Sequence, residues 1–261
     1  FRENIEFKVT ENNIEQEIIN FKPDIVGISS VSQNYNKAIA YAKIAKRYEL
    51  PVICGGVHIS MMPFSLTSDM DVGVIGEGEQ TICDLLELFI RESKFVRDDL
   101  QKIKGIIYWD DDGRVTFTNK RELMYPLNKL PVPARDLFNI RPITYMFTTR
   151  GCPYRCSFCA SSRFWNKVRF FSAEYTVNEI QHLVDEYNVK CIDFYDDLVS
   201  LDVNRIKEII DLLKVKNILG KVNFSGAIRA NLANDEVIGL LKKMGFKSLG
   251  MGLESGCNDT L

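Results

Sequence analysis

The sequence contains no stretch of about eighteen or more apolar residues, so no segment predicts a membrane-spanning helix. Its opening, FRENIEF, lacks the apolar core of a secretory signal. No fixed-period repeat and no low-complexity tract occurs, which argues against a solenoid array or a disordered chain. An excess of charge of one sign is missing too: 33 Lys+Arg stand against 35 Asp+Glu, and a net charge of -2 carries no overall footprint for nucleic acid. The seven cysteines are an odd number, three of them packed between positions 152 and 159, which makes a poor disulfide framework. They read better as a metal site in a reducing, cytoplasmic compartment. What is present is ordinary globular composition, 46% hydrophobic and 26% charged over 261 residues. At roughly 150 residues per domain that length predicts two domains. The first residue is Phe1, and the chain reads as an internal fragment of a longer protein.

From residue 5 to about residue 88, short β-branched runs alternate with helical patterns, which predicts a parallel sheet with crossover helices. Strands are expected over 5–9, 24–29, 52–54 and 72–75. Ala38, Tyr41, Ala42, Ala45 and Tyr48 recur at helical spacing, as do Ile82, Leu85, Leu86 and Phe89. The run KIKGIIYWDDDGRVTFTNK predicts a hairpin around an Asp-Gly turn whose aspartates are solvated. It closes a first domain over 1–119. Pro126, Pro131, Pro133 and Pro142 then mark an extended connector over 120–142. A second domain over 143–261 resumes the β-then-α rhythm, with strands expected over 145–149, 190–195, 222–228 and 248–253 and helices over 174–187, 203–213 and 235–244. Four successive βα units predict barrel-like curvature or an open sheet.

The informative segment is TTRGCPYRCSFCASSRFW, in which Cys152, Cys156 and Cys159 stand in Cx3Cx2C spacing directly after an expected strand. The same spacing could place three buried thiols on one helix face, but Gly151 and Pro153 favour a loop. A loop lets the thiolates gather on one object, and soft sulfur ligands select zinc, copper(I) or iron-sulfur clusters. A structural zinc site wants a fourth ligand; the nearest, Cys191 and His182, have no paired spacing. Three ligands on a four-iron cluster would instead leave one iron open for chemistry. Between Arg150 and Arg169 five basic residues (Arg150, Arg155, Arg163, Lys167, Arg169) and no acid occur, a solvated rim or a field favouring a reduced cluster.

With Phe158 ahead of the last cysteine, this loop resembles the signature of the radical S-adenosylmethionine (radical SAM) superfamily. The resemblance implies a [4Fe-4S] cluster on Cys152, Cys156 and Cys159, chelated by S-adenosylmethionine at the open iron, and formation of a 5'-deoxyadenosyl radical. It further implies a small-molecule substrate and an electron donor of flavodoxin or ferredoxin type. Chemistry in barrel-like folds collects at strand ends. At the first of these, IDFYDD, the resemblance implies a contact of Asp196 or Asp197 with the methionyl amino group, where helix capping is the bland alternative. In NFSGAIRAN, Ser225 and Arg229 sit at and beyond a strand end, and Arg229 could pair with a carboxylate of cofactor or substrate. In SLGMGLESG, which is similar to the family's ribose-contacting strand, Glu254 offers acceptors for vicinal hydroxyls.

In the first half, three motifs fall at expected strand ends, where open parallel sheets bind ligands. They are GISSVS with Ser29 and Ser30, CGGVH with Gly55, Gly56 and His58, and GEGE with Gly76, Glu77 and Gly78. Together with the connector LPVPARDLF they resemble the cobalamin-binding domain that precedes many radical SAM domains. The Asp-x-His-x-x-Gly pattern that supplies cobalt's histidine elsewhere is absent; His58 reads first as a hydrogen-bonded histidine and second as an axial ligand. The expected fold is α/β, a Rossmann-like parallel-sheet domain followed by a partial (β/α) TIM-like barrel of radical SAM type. The resemblance implies cobalamin-dependent C-methylation or oxidative cyclisation. The alternatives are a methylthiotransferase, which would want three more cysteines upstream where only Cys54 and Cys83 occur, and a non-catalytic zinc or cluster module. No catalytic side chain beyond these is singled out.

Overall fold

The structure, a computed structural model, describes residues 5–257 and Asp259. It divides into two compact units, Phe1–Met124 and Tyr125–Leu261.

The first unit runs α1 (Ile14–Phe21), β1 (Val26–Ser29), α2 (Tyr35–Arg47), β2 (Val52–Gly55), α3 (Val57–Met61), β3 (Val72–Val74), α4 (Glu79–Glu92), α5 (Arg97–Leu100), β4 (Ile106–Trp109) and β5 (Val115–Phe117). One sheet takes the order β1-β2-β3-β4-β5, parallel through β3 and antiparallel beyond. Successive strand side chains alternate faces, so the buried run of β2 needs cover on both sides. Ala38, Ala42 and Ala45, one face of α2, pack with Val52 and Cys54. Leu85 and Leu88 of α4 pack with Ile53, Val72 and Val74 on the other face. Each of those leucines contributes about 1.5–3 kcal/mol by leaving water.

The hairpin forms where the Asp-Gly turn predicts it. Gly113 takes φ 72°, and Asp110 Oδ1 accepts the backbone N–H groups of Asp112 and Arg114. Residues 5–9, expected as a strand, make no ladder and run beside the edge strand β1, where Phe7, Val9, Ile28 and Tyr41 help line a cavity of about 550 Å³. Alternating apolar residues report one apolar face, and an unpaired extended segment satisfies that as well as a strand does. The proline-rich stretch divides between the units. Arg121 pairs with Asp84 and donates to Thr81, and the Met124 N–H donates to Glu77 Oε2 at 2.8 Å. In the second unit Leu127 is buried and Arg135 pairs with the buried Glu179 at 2.6 Å.

The second unit runs β6 (Ile143–Met146), β7 (Thr149–Arg150), α6 (Ser161–Phe164), β8 (Arg169–Phe170), α7 (Ala173–Tyr187), β9 (Cys191–Phe194), α8 (Val203–Val215), β10 (Asn223–Ala227), α9 (Asp235–Met244) and β11 (Phe246–Gly250). β6, β9, β10 and β11 form a parallel sheet in that spatial order. α7, α8 and α9 start at Ser172, Asp202 and Asn234, whose side chains accept the N–H groups of Tyr175, Arg205 and Val237. Such caps are worth about 1 kcal/mol each. All three helices bury one face against Met146, Ile192, Phe194, Phe224 and Phe246. The opposite sheet face carries Tyr145, Asp193 and Ser225 in register, and beyond them Tyr195. This βα wall is the partial barrel.

Two strands depart from the sequence reading. The expected strand over 145–149 breaks after Met146, because a buried carboxylate takes the N–H groups of Thr148 and Thr149. The last strand is Phe246–Gly250 and not 248–253. Gly245 ends α9 in the left-handed region, and the ring of Phe246 then packs on Phe194 and Phe224, which starts the strand earlier.

Candidate functional site

The cysteine loop is closed at its root by the antiparallel pair β7–β8, in which Thr149 faces Phe170 and Arg150 faces Arg169. Gly151, at φ 95°, lies where a Cβ would stand 2.6 Å from the Lys167 carbonyl oxygen, so only glycine lets the loop leave its root here. Beyond it Cys152, Tyr154, Cys156 and Cys159 are half-buried while Pro153, Arg155, Ser157 and Phe158 are exposed, so the three cysteines are among the sheltered positions of the loop, and Cys152 feels the charges of the other two. The Cys159 N–H donates to the Cys156 carbonyl at 3.1 Å, a turn that draws those two together. Burial pushes the Cys152 thiol up, a backbone bond at Tyr154 opposes this, and the charges of Asp197, Cys159 and Cys156 push it further. Cys54, Cys83, Cys152, Cys156, Cys159 and Cys191 are free thiols.

Among the described residues no three or more His, Cys, Asp or Glu side chains close around one single-ion position. Thiolates on a multi-iron cluster need not do so, because each can take a different iron. A fourth zinc ligand is badly placed. Cys191 begins β9 opposite Ile143, at the far end of the sheet from the loop, and His182 lies on α7 edge-on to Tyr187. The donor set, three soft sulfurs at sheltered positions of one loop, fits an iron-sulfur cluster.

The two aspartates after β9 part company. Asp196 is 3% exposed and accepts the Thr148 and Thr149 N–H groups at 2.6 and 3.0 Å and the Thr148 hydroxyl at 2.5 Å. Burial pushes its carboxyl up, while those hydrogen bonds and then Arg205 pull it down. Arg205 in turn donates to Thr148 O, Phe171 O and Thr176 Oγ1. Asp196 is therefore enclosed at the loop root and does not face the thiols. Asp197 does: it accepts from Ser161 Oγ at 2.5 Å and acts on Cys152.

Ser225 donates to Asp193 Oδ1 at 2.9 Å on the open sheet face. Asp193 escapes notice in the sequence, although alternation in CIDFYDD puts Cys191, Asp193 and Tyr195 on one face and Ile192 and Phe194 on the other. Arg229 stands over the Tyr154 ring and reaches Cys156. Phe158 is 69% exposed. Glu254, at φ 58°, lies exposed beyond β11 and folds back over Gly252. It is not brought against the cysteines. The exposed basic rim consists of Arg155, Arg163 and Lys167, whereas Arg169 is buried.

In the first unit the three glycine and serine motifs do meet, at the C-terminal ends of β1, β2 and β3. Ser29 is in register with Gly55, the buried Ser30 donates its N–H to the Gly55 carbonyl, and Gly78 opens α4. Gly56, at φ 96°, is packed against Ser30: a Cβ would stand 2.4 Å from the Ser30 carbonyl oxygen. Gly76, at φ 80°, faces open space. Ser60 Oγ accepts from the Gly76 N–H and donates to the Gly56 carbonyl, both at 2.9 Å, tying the two loops. A glycine facing open space at a parallel strand end, as Gly76 does, suits a flat ligand laid on the backbone.

His58 is spent within the fold. Its ring stacks on Tyr35 at 3.7 Å, with Ser32 Oγ 3.0 Å from Nδ1 and Ser65 Oγ 3.0 Å from Nε2. Ser65 donates its own proton to Met62 O, so it accepts from Nε2–H, and Nδ1 accepts from Ser32. No nitrogen is left for a metal, and the axial-ligand reading fails on this geometry. Burial holds the imidazole below its ordinary value of 6.5, and burial also keeps the Tyr35 phenol up and neutral. Below 6.5 the unfolded chain binds a proton that the folded one resists, so stability falls on acidification through that value towards the depressed folded one. Thermal unfolding from pH 7.5 to 5.5 should show this loss, and His58→Gln should flatten it. An equal slope in the variant refutes the assignment.

Family models match two stretches of the chain: B12 binding domain over residues 2–86 and Radical SAM superfamily over residues 146–261. An uncharacterized methyltransferase of Pyrococcus horikoshii is 30% identical over 95% of this chain and 55% of its own length. An anaerobic magnesium-protoporphyrin IX monomethyl ester cyclase of Rubrivivax gelatinosus is 25% identical over 95% of this chain and 46% of its own. The cobalamin-dependent S-adenosylmethionine radical enzyme OxsB, solved with aqua-cobalamin and S-adenosylmethionine bound, superposes with a TM-score of 0.78 at 23% identity, over 96% of this chain and 38% of that one. The chain spans about half the length of the curated relatives it matches.

Proposed function

The chain belongs to the radical SAM superfamily and carries a B12-binding domain, and on that premise we propose that it cleaves S-adenosylmethionine reductively and transfers a methyl group to carbon of a small molecule. The observation that carries this reading is the sheltered set Cys152, Cys156 and Cys159 on a loop pinned by β7–β8 and Gly151. When bound, a [4Fe-4S] cluster supplies the electron that breaks the sulfonium bond, and cobalamin supplies a methyl carrier.

The protein's part is to hold and shield. The three cysteines would hold the iron, Asp197 would offer an acceptor beside them for the cofactor's amino group, and Ser161 fixes that carboxylate. Phe158 presents an exposed ring for stacking on an adenine. Tyr145, Tyr195, Asp193 and Ser225 form the strand face onto which a substrate would be laid. Glu254 can serve a ribose once a ligand fills the space between it and the sheet. In the first unit the strand-end loops at Ser29, Gly55 and Gly76–Gly78 would receive the corrin, with His58 stiffening them and leaving cobalt alone.

No described helix is long and apolar enough to cross a membrane. Six free thiols, at 54, 83, 152, 156, 159 and 191, support a reducing, cytoplasmic setting, and the exposed basic residues 155, 163 and 167 suit an acidic flavodoxin or ferredoxin donor. Oxidative cyclisation shares all of this apparatus and is supported by the likeness to the cyclase. Methylthio transfer is weakened by the upstream cysteines, since Cys54 is fully buried in β2 with its thiol pushed up to about 11 by burial, and Cys83 lies alone on α4.

Anaerobic reconstitution with iron and sulfide, then reductant and S-adenosylmethionine, tests the reading. The expected result is about four irons per chain, 5'-deoxyadenosine as product, and retention of added aqua-cobalamin through desalting. Stoichiometric zinc in colourless protein would overturn it.

A further inference from the structure

Arg229 leaves β10 on a fixed backbone. The N–H of the buried Ile228 donates to the Gly250 carbonyl, and the Arg229 carbonyl accepts from Leu232, both at 2.9 Å. From there its guanidinium carbon lies 3.9 Å from the centroid of the Tyr154 ring, and Nη1 is 4.0 Å from Cys156 Sγ. Tyr154 is itself held, its hydroxyl accepting from Asn231 Nδ2 at 3.2 Å. Among the described residues no carboxylate pairs with Arg229, in a chain whose 33 basic residues meet 35 acidic ones. The cation is thus laid flat on an aromatic ring of the cysteine loop, with an N–H aimed at one sulfur.

We propose that Arg229 tunes the cluster held by Cys152, Cys156 and Cys159 by donating a charge-assisted hydrogen bond to the Cys156 thiolate, with Tyr154 and Asn231 as its support. This assignment rests on the radical SAM reading above. A hydrogen bond to a cluster sulfur stabilises the more negative, reduced cluster more than the oxidised one. Arg229 therefore raises the reduction potential and makes the electron easier to load. A planar guanidinium is the side chain that can stack on Tyr154 and still point an N–H sideways. That use differs from clamping a carboxylate, which would take two parallel N–H groups of the fork.

The test is a redox titration of the reconstituted chain without S-adenosylmethionine, followed by electron paramagnetic resonance. Arg229→Met should shift the midpoint to a more negative potential, and Arg229→Lys should recover part of the shift. Tyr154→Leu, which removes the ring under the guanidinium, should shift it the same way, whereas Tyr154→Phe should stay closer to wild type. Arg229 is exposed, so its variants should keep the wild-type unfolding temperature. If the potential is unchanged and affinity for S-adenosylmethionine falls, the guanidinium serves the cofactor's carboxylate and the assignment is overturned. A wild-type chain that assembles no four-iron cluster overturns both this assignment and the reading beneath it.

Discussion

Cys156→Ala is expected to leave a folded chain that binds almost no iron. The residue is half-buried on a loop whose root is held elsewhere, by β7–β8 and Gly151, and the hydrophobic core of the second unit lies on the far face of its sheet. Removing the side chain therefore costs little stability, and about 1 kcal/mol is a generous bound for so exposed a site. The effect on iron is different in kind. In the proposed site three thiolates are the whole protein donor set, and two would be left. Losing an outer-shell partner of a metal site already costs about 10–100-fold, so losing a ligand should reduce 5'-deoxyadenosine formation by more than about a hundredfold. Iron analysis and the visible chromophore read the first result, and product quantitation the second. Ser157→Ala, one position along and exposed, is the control and should match wild type. Retention of a full iron complement by Cys156→Ala would refute the ligand set.

The cysteine loop was readable as a loop because what builds it is local: three cysteines, a glycine and a proline within nine residues after a strand. The short apolar run of β2 and the alanine spacing of α2 were readable for the same reason, since pattern and burial agree over one element. What could not be read is what distant residues decide. The neighbouring carboxylates Asp196 and Asp197 look equivalent in IDFYDD, yet one is drawn inward by Thr148 and Thr149 and the other lies beside Cys152. Arg205 reads as an ordinary helix residue until the fold brings Thr148, 57 positions away, beneath it. His58 and Arg229 show the opposite limit. Chemistry suggested a metal ligand for one and a carboxylate clamp for the other; the fold sets Ser32 and Ser65 against the ring nitrogens of the first and lays the second on Tyr154.

Asp196→Ala should be the most destabilising single change in the second unit outside its apolar core. The carboxylate accepts two backbone N–H groups and one hydroxyl, all from threonines that are about 3% exposed, and its charge faces Arg205. Alanine supplies no acceptor, and the pocket is too enclosed for bulk water to substitute freely. Each buried donor left unmade costs about 1–3 kcal/mol, and removing one partner of a buried charge pair about 3–5 kcal/mol. Since Arg205 keeps its bonds to Phe171, Thr148 and Thr176, these do not sum, and about 3–5 kcal/mol overall is expected. That should appear as a shift of roughly 10 °C or more in the unfolding temperature. Asp196→Asn keeps one acceptor for the two N–H groups and should lose about half as much. Thr148, whose hydroxyl loses its Oδ2 acceptor in that variant, sits where the chain leaves β6 for the cysteine loop, so Asp196→Asn should also broaden the cluster's resonance signal while binding near-wild-type iron. An Asp196→Ala chain within about 1 kcal/mol of wild type in urea unfolding would show that this network does not anchor the loop.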